Sequence, residues 1–223
     1  MIDAATDVRT GRRPLWPALV GLALAAIFCL ANLPHLIVPG ETSAAYIGRE
    51  SFYWIFAGIL LFWLTRVEKE KLSAIGLRWA GWRTVPLGIA TGIIVTALLV
   101  LNAAVVIPMF GLDMSKIAAT HAKLVGQPYW FRVELVIRAA VTEEILFRGF
   151  LIEHVRRLTG STLLAVIVSV VFFTYSHLSG WGVVQLIPVC AAGIVFALLY
   201  VWKRNLPANM LGHFIADAVG FLL

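Results

Sequence analysis

The sequence predicts an all-α membrane protein, a polytopic bundle of about seven transmembrane helices forming one membrane domain over residues 1–223. Three observations carry that reading. Hydrophobic residues make up 61% of the chain, charged ones only 13%, and the mean hydropathy is +0.90, whereas soluble domains carry about 25% charged residues. Apolar runs recur at lengths near the roughly 20 residues that one helical crossing needs. Between them lie breakers and charges: Pro39-Gly40, the run from Arg66 to Lys71, Gly81, Gly126 to Pro128, Gly160, Gly180 and Lys203 to Pro207.

The first run, residues 15–38, follows Arg12 and Arg13. It exceeds the roughly 7–15 apolar residues of a cleavable signal core, so it reads as a retained helix. The second, 46–65, ends in the charged segment, and the third is 84–110. Segment 112–125 sets Met114, Ile117, Ala118 and Leu124 against Lys116, His121 and Lys123, the pattern of a short amphipathic helix at the membrane surface. Runs four to seven are 130–152, 161–178, 183–202 and 206–223. Gly88, Gly92 and Thr96, four apart, are small enough for a close helix contact, either within the chain or with another copy. Oligomeric state stays open.

Basic residues orient such a chain, because Lys and Arg concentrate in cytoplasmic loops. Arg9, Arg12 and Arg13 precede the first run; Arg66, Lys69, Lys71, Arg78 and Arg83 follow the second; Arg156 and Arg157 follow the fourth; Lys203 and Arg204 follow the sixth. All of these fall on one side, and the opposite loops hold Arg49, Lys116 and Lys123. The expectation is a multi-pass protein of a bacterial inner membrane with a cytoplasmic N-terminus. Topology thus accounts for the net charge of +6. Nucleic acid is not an expected partner, since no basic surface domain is present. Cys29 and Cys190 each sit in an apolar run and read as small buried hydrophobes.

The fourth run contains Glu143, Glu144 and Arg148. An ionisable residue at the centre of a membrane helix costs about 2.5–3.5 kcal/mol, so these groups need partners or a task. On an α-helix Glu144 shares a face with Arg148, four residues on, while Glu143 points about 100° away. The first pair is expected to neutralise itself. Glu143 is left without that partner, and a lone carboxyl in an apolar site suits a general base. Later runs add Phe173 with His177, and His213 with Asp217, each four apart on one face. Polar groups in separate membrane helices tend to converge inside the bundle, so these are expected to complete one site. His35, His121 and His154 lie at predicted helix ends or in a loop and receive no role.

Together the stretches Glu143-Glu144-Ile145-Leu146-Phe147-Arg148, Phe173 to His177 and His213 to Asp217 resemble the EExxxR, FxxxH and HxxxN/D motifs of the CAAX protease and bacteriocin-processing (Abi) family, over roughly residues 129–221. The resemblance implies an all-helical membrane endopeptidase related to type II CAAX prenyl endopeptidases. It implies that Glu143, with His177, activates a water; that His213 and residue 217 stabilise the oxyanion; and that Glu144 and Arg148, beside Phe173, support them. No covalent intermediate and no cofactor are implied. The substrate would be a peptide or protein, prenylated CAAX peptides being the family's best-known case, met within membrane lipid. CAAX-processing members carry Asn where this chain has Asp217, so either Asp217 is protonated in its apolar site or, the preferred reading, its carboxylate orients His213 and leaves donation to the ring.

Other readings use the same residues. Glu143, His177, His213 and Asp217 are acceptable zinc ligands, although HExxH is absent. A bacteriocin-immunity protein would bind a membrane partner without cutting it, and a proton-relay transporter would also use intramembrane Glu and His. No inverted repeat supports transport. Depth poses a further question, since His177 lies near the end of its run whereas His213 follows soon after a turn. Straight, perpendicular helices would not bring them together; tilted or broken helices would, with Pro188, Pro207, Gly180 and Gly212 available as breaks.

Overall fold

A computed structural model describes residues 15–30, 33–40 and 42–223, apart from the side chains of Cys29 and Leu30. Arg9, Arg12, Arg13 and the Cys29 side chain, which figured in the charge and cysteine readings, lie outside the described part. Helix is the only regular structure among the described residues. Four helices are long and apolar enough to cross a membrane: Ser43–Val67, Thr84–Met109, Thr162–Trp181 and Leu186–Lys203. The other three expected runs also fold as helices. Trp16–Leu30 and Leu206–Phe221 are shorter, and the fourth run becomes a rod through 129–159 that carries ionisable groups.

Local chemistry sets the ends. Thr42 Oγ1 accepts the amide of Ala45, Ser161 Oγ that of Leu164 and Asn205 Oδ1 that of Ala208, each satisfying a first-turn donor. Pro207 sits in the first turn of the C-terminal helix, where its missing N–H costs nothing. A one-turn 3-10 helix, Leu72–Ile75, closes on Gly76 at φ 72°, and a Cβ there would lie 2.9 Å from the Tyr200 ring. Only glycine fits that corner.

The 129–159 rod is the centre of the bundle. It begins as α-helix over Tyr129–Arg138, widens to a π-helix over Ala139–Ile152 and returns to α-helix over Glu153–Thr159. Thr142 and every residue from Glu144 to Ile152 are buried. Phe147, Phe150 and Leu151 pack with Leu60, Leu64 and Phe173, and Ile145 and Ile152 with Ala165, Ala197 and Leu206. The C-terminal helix lies against Thr84–Leu101 through glycine. A Cβ on Gly92 would stand 2.7 Å from Ile215 Cβ, and one on Gly88 2.9 Å from the Ala208 carbonyl. Gly88 and Gly92 are therefore spent on packing within the chain.

Several placements differ from the sequence reading. Arg49 is not a loop charge: it is buried in Ser43–Phe62 and donates to the carbonyls of Val38 (3.2 Å) and Gly40 (2.7 Å). His154 is 2% exposed, because the central rod runs on past its apolar stretch and draws that turn inside. Its ring stacks on Phe150, and Nε2 lies 2.7 Å from Glu68 Oε1. Arg157 holds the other Glu68 oxygen. Burial disfavours the ionised carboxyl, but His154 and Arg157 outweigh it and hold Glu68 below its ordinary 4.5. The amphipathic stretch folds as Ser115–Val125 with no buried residue, and Thr120 Oγ1 donates to Gly180 O at 3.0 Å.

Candidate active site

Glu144 is fully buried and receives three side chains: Arg148 Nη1 at 3.0 Å, His213 Nδ1 at 3.0 Å and Asn209 Nδ2 at 3.1 Å. The Arg148 guanidinium, also without exposed surface, lies 4.2 Å over the Phe173 ring and 5.3 Å from that of Phe196. This is the expected ion pair, with an aromatic floor. It is also a four-helix junction, since His213 and Asn209 come from the C-terminal helix, Phe173 from Thr162–Ser176 and Phe196 from Leu186–Lys203.

Glu143 is not partnerless, which corrects the α-helical reading. Arg138 Nη1 lies 3.0 Å from its Oε1, five residues earlier in the chain. An α-helix would leave residues five apart on different faces, whereas the wider turn brings them within reach while still allowing the i,i+4 pair Glu144–Arg148. Arg138 in turn meets Glu50 through Nε (2.5 Å) and Nη2 (3.3 Å), and its guanidinium lies 4.3 Å from the Tyr53 ring. Glu143 Oε2 has no hydrogen-bond partner among the described residues. It faces His177 Nε2 at 4.0 Å.

His177 ends the helix Thr162–Ser176, and its Nδ1 lies 2.8 Å from the Phe173 carbonyl. A neutral imidazole donating there presents its lone pair at Nε2, towards Glu143. His213 stands between two carboxylates, with Nδ1 on Glu144 and Nε2 3.5 Å from Asp217 Oδ2. The Phe173 ring is 4.9 Å from His177 and 6.2 Å from His213, so the two imidazoles flank one aromatic ring. The two histidines therefore meet at this ring, and the chain leaves its helix at His177, before the short turn Leu178–Trp181 that holds Gly180. Pro188 lies within an unbroken helix, Pro207 opens one, and Gly212 is a packing contact. What joins the levels is the Glu143-Glu144 step, each glutamate serving one histidine.

Two cavities meet at this step. One of about 160 Å³ is lined by His35, Tyr53, Arg138, Glu143, Ser176 and His177 among others. The other, about 430 Å³ and mostly apolar, is lined by Leu99, Phe196, His213 and Asp217 and shares Arg138, Glu143 and His177 with the first. His121, left without a role by the sequence, lines this second cavity, and its Nε2 lies 2.8 Å from the Gly220 carbonyl. Among the described residues no three His, Cys, Asp or Glu side chains are grouped to hold a metal ion.

With that geometry in view, comparison with known proteins assigns the site-bearing half. Residues 125–219 match the family described as Rce1-like, type II CAAX prenyl endopeptidase. Residues 125–219 are thus similar to that family. The resemblance read from the three motifs is borne out over it, and the Rce1-like segment contains Glu143, His177, His213 and Asp217. The chain is also 36% identical over 85 residues to the uncharacterized protein YpbD of Bacillus subtilis (strain 168), a match covering 38% of this chain and 41% of that relative. No solved structure matches the chain.

Three residues of the site escaped the sequence reading. Asn209 was within reach, since it precedes His213 by four and so shares its face. Arg138 was visible as a charge inside an apolar run, but pairing it with Glu143 required the wide helix. Glu50 lies 88 residues from Arg138 and carried no local signal.

Proposed function

We propose that the chain is an intramembrane endopeptidase of CAAX type that hydrolyses a peptide bond with a water activated by Glu143 and His177. The observation that carries this reading is the unpartnered Glu143 Oε2 facing His177 Nε2 at 4.0 Å, where the two cavities meet. A water seated there meets two acceptors. Glu143 takes one proton as the water oxygen bonds to the scissile carbonyl carbon. The C–N bond then breaks, Glu143 returns the proton to the leaving amine, and a carboxylic acid and an amine result. No residue becomes acylated.

The tetrahedral intermediate needs a donor for its oxyanion. His213 suits that task because Glu144 anchors Nδ1, while Nε2 stands 3.5 Å from Asp217, beyond the roughly 2.7–3.2 Å of a formed N–H···O bond. Losing one such donor typically costs about 2.7–4 kcal/mol of barrier. Asp217 keeps the ring turned into the cavity. Arg148, Glu144 and Phe173 hold the two histidines at their separation. The apolar lining of the larger cavity favours a peptide with apolar or lipid-bearing residues near the cut, prenylated CAAX peptides among them, in a bacterial inner membrane with the N-terminus cytoplasmic.

Glu143→Gln keeps the shape of the side chain and removes the base. Membranes carrying the wild type and this variant are compared for cleaved peptides without choosing a substrate beforehand, with and without chelator. Peptide termini that appear only with the wild type, and persist in chelator, are expected. Identical peptides from both would remove the protease reading, and loss of cleavage in chelator, restored by zinc, would replace the water-activating pair with a zinc centre.

A further inference from the structure

We propose that Arg138 is a positioning residue for Glu143, and that Glu50, from a helix outside the Rce1-like segment, keeps it from capturing both oxygens of that carboxylate. The inference rests on the reading of Glu143 as the base and assigns a task to two charges that reading leaves unused. Arg138 and Glu50 are buried, at 7% and 8% exposure, so their pairing is not a screened surface contact.

A guanidinium offers a planar fork and prefers to grip a carboxylate with two parallel N–H donors. If Arg138 gripped Glu143 in that way, both carboxylate oxygens would be tied and neither would remain to take a proton from water. The geometry avoids this outcome. Glu50 occupies Nε and Nη2 of the fork, and Tyr53 lies 4.3 Å from the guanidinium. Only Nη1 is left for Glu143, and it binds Oε1 alone at 3.0 Å. Oε2 is thereby fixed in direction yet unpartnered, facing His177.

Neighbouring charged groups have partners of their own: Glu134, earlier on the rod, accepts the Trp54 indole N–H at 2.8 Å, and Arg49 donates to the carbonyls of Val38 and Gly40. Glu144 and Arg148, on the same rod, are committed to each other, and His213 and Asp217 belong to the neighbouring arrangement on the C-terminal helix. The π-turn is essential to the device, because it sets Arg138 beside Glu143 at a spacing of five residues. Arg138 also lines both cavities, so it stands at their junction rather than behind it.

Dicyclohexylcarbodiimide, which modifies protonated carboxyl groups in apolar surroundings, reads this device without any substrate. The full chain in liposomes is treated, and modification of Glu143 is timed by peptide mass spectrometry. Removing the donor in Arg138→Gln should speed modification several-fold or more, since Oε1 loses the guanidinium N–H that ties it at 3.0 Å. Arg138→Lys, a single ammonium shared between two carboxylates, should fall between that variant and the wild type. Glu50→Gln should react no faster than the wild type, because the freed fork closes on Glu143. A merely structural ion pair would instead make Glu50→Gln and Arg138→Gln react alike.

Turnover is followed in parallel on a fluorogenic CAAX peptide, farnesylated and unlipidated. Arg138→Gln is expected to lower kcat at least ~10-fold with KM within about twofold, and Glu50→Gln to lower kcat although Arg138 is intact. Modification of Arg138→Gln at the wild-type rate overturns the proposal. If that variant does not fold, Arg138→Lys at the wild-type rate does so. Should the modification pattern hold while Glu143→Gln cuts as the wild type does, the positioning stands and the protease reading falls. Loss of cleavage in Glu143→Gln with no modification pattern has the opposite meaning.

Discussion

Glu144→Leu and Arg148→Met break the same ion pair, yet their costs are expected to differ. Removing Glu144 leaves the fully buried Arg148 guanidinium with the Gly193 carbonyl at 3.4 Å and two ring faces, and it strips Nδ1 of His213 of its acceptor. An uncompensated buried charge costs about 3–5 kcal/mol, and the loss of a second partner puts Glu144→Leu at the upper end. Arg148→Met is milder. The carboxylate keeps His213 and Asn209 as donors, the Met side chain fills the space between Phe173 and Phe196, and no formed hydrogen bond from Nη1 or Nε is lost, so the loss is nearer the roughly 0.5–3 kcal/mol of an ordinary substitution. Unfolding in mixed micelles titrated with dodecyl sulfate measures both, and the double variant completes a cycle. The double should lose less than the sum, by about 0.5–3 kcal/mol, as contacting residues do. Equal losses for the two single variants, or strict additivity, would refute the assignment of Glu144 as the shared acceptor of the junction.

Gly92→Ala should destabilise the fold by about 1–3 kcal/mol, because its Cβ would meet Ile215 Cβ at 2.7 Å and the Gly212 carbonyl at 3.0 Å. The same titration checks it, and a loss below about 0.5 kcal/mol would mean that the two helices part easily. Asp217→Asn should retain cleavage, since the amide keeps the shape of the carboxylate beside His213 Nε2; abolished turnover with normal folding would argue that the carboxylate does more than orient the ring. At the charged end of the bundle, Glu68 sits below its ordinary 4.5 in the folded state despite burial, through His154 and Arg157. Its stabilising contribution is therefore complete above that value and fades as pH falls through the lowered one. Unfolding midpoints measured from pH 6 down to about 3 should drop for the wild type, and drop less for Glu68→Gln. Parallel curves would detach Glu68 from acid stability.

What could be read from this chain alone follows the range of the forces involved. Hydropathy is a sum over neighbouring residues, so the all-α membrane class and the helical runs emerge from composition and spacing. Pairs four residues apart are equally local, and Glu144 with Arg148, Phe173 with His177 and His213 with Asp217 do meet. The width of the helical turn is not local in this sense. Whether a backbone amide reaches the fourth or fifth carbonyl depends on what packs against the rod, and that choice gave Glu143 a partner in Arg138 where α-helical geometry left it alone. Which helices touch is likewise outside the reach of periodicity. His213 reaches Glu144 across 69 residues and Glu50 reaches Arg138 across 88, and no spacing rule foretells either. Sequence therefore named several of the ionisable side chains that converge inside the bundle, while the tertiary structure alone decided how the charges are shared among them, because a carboxylate's partner is set by proximity in space rather than along the chain.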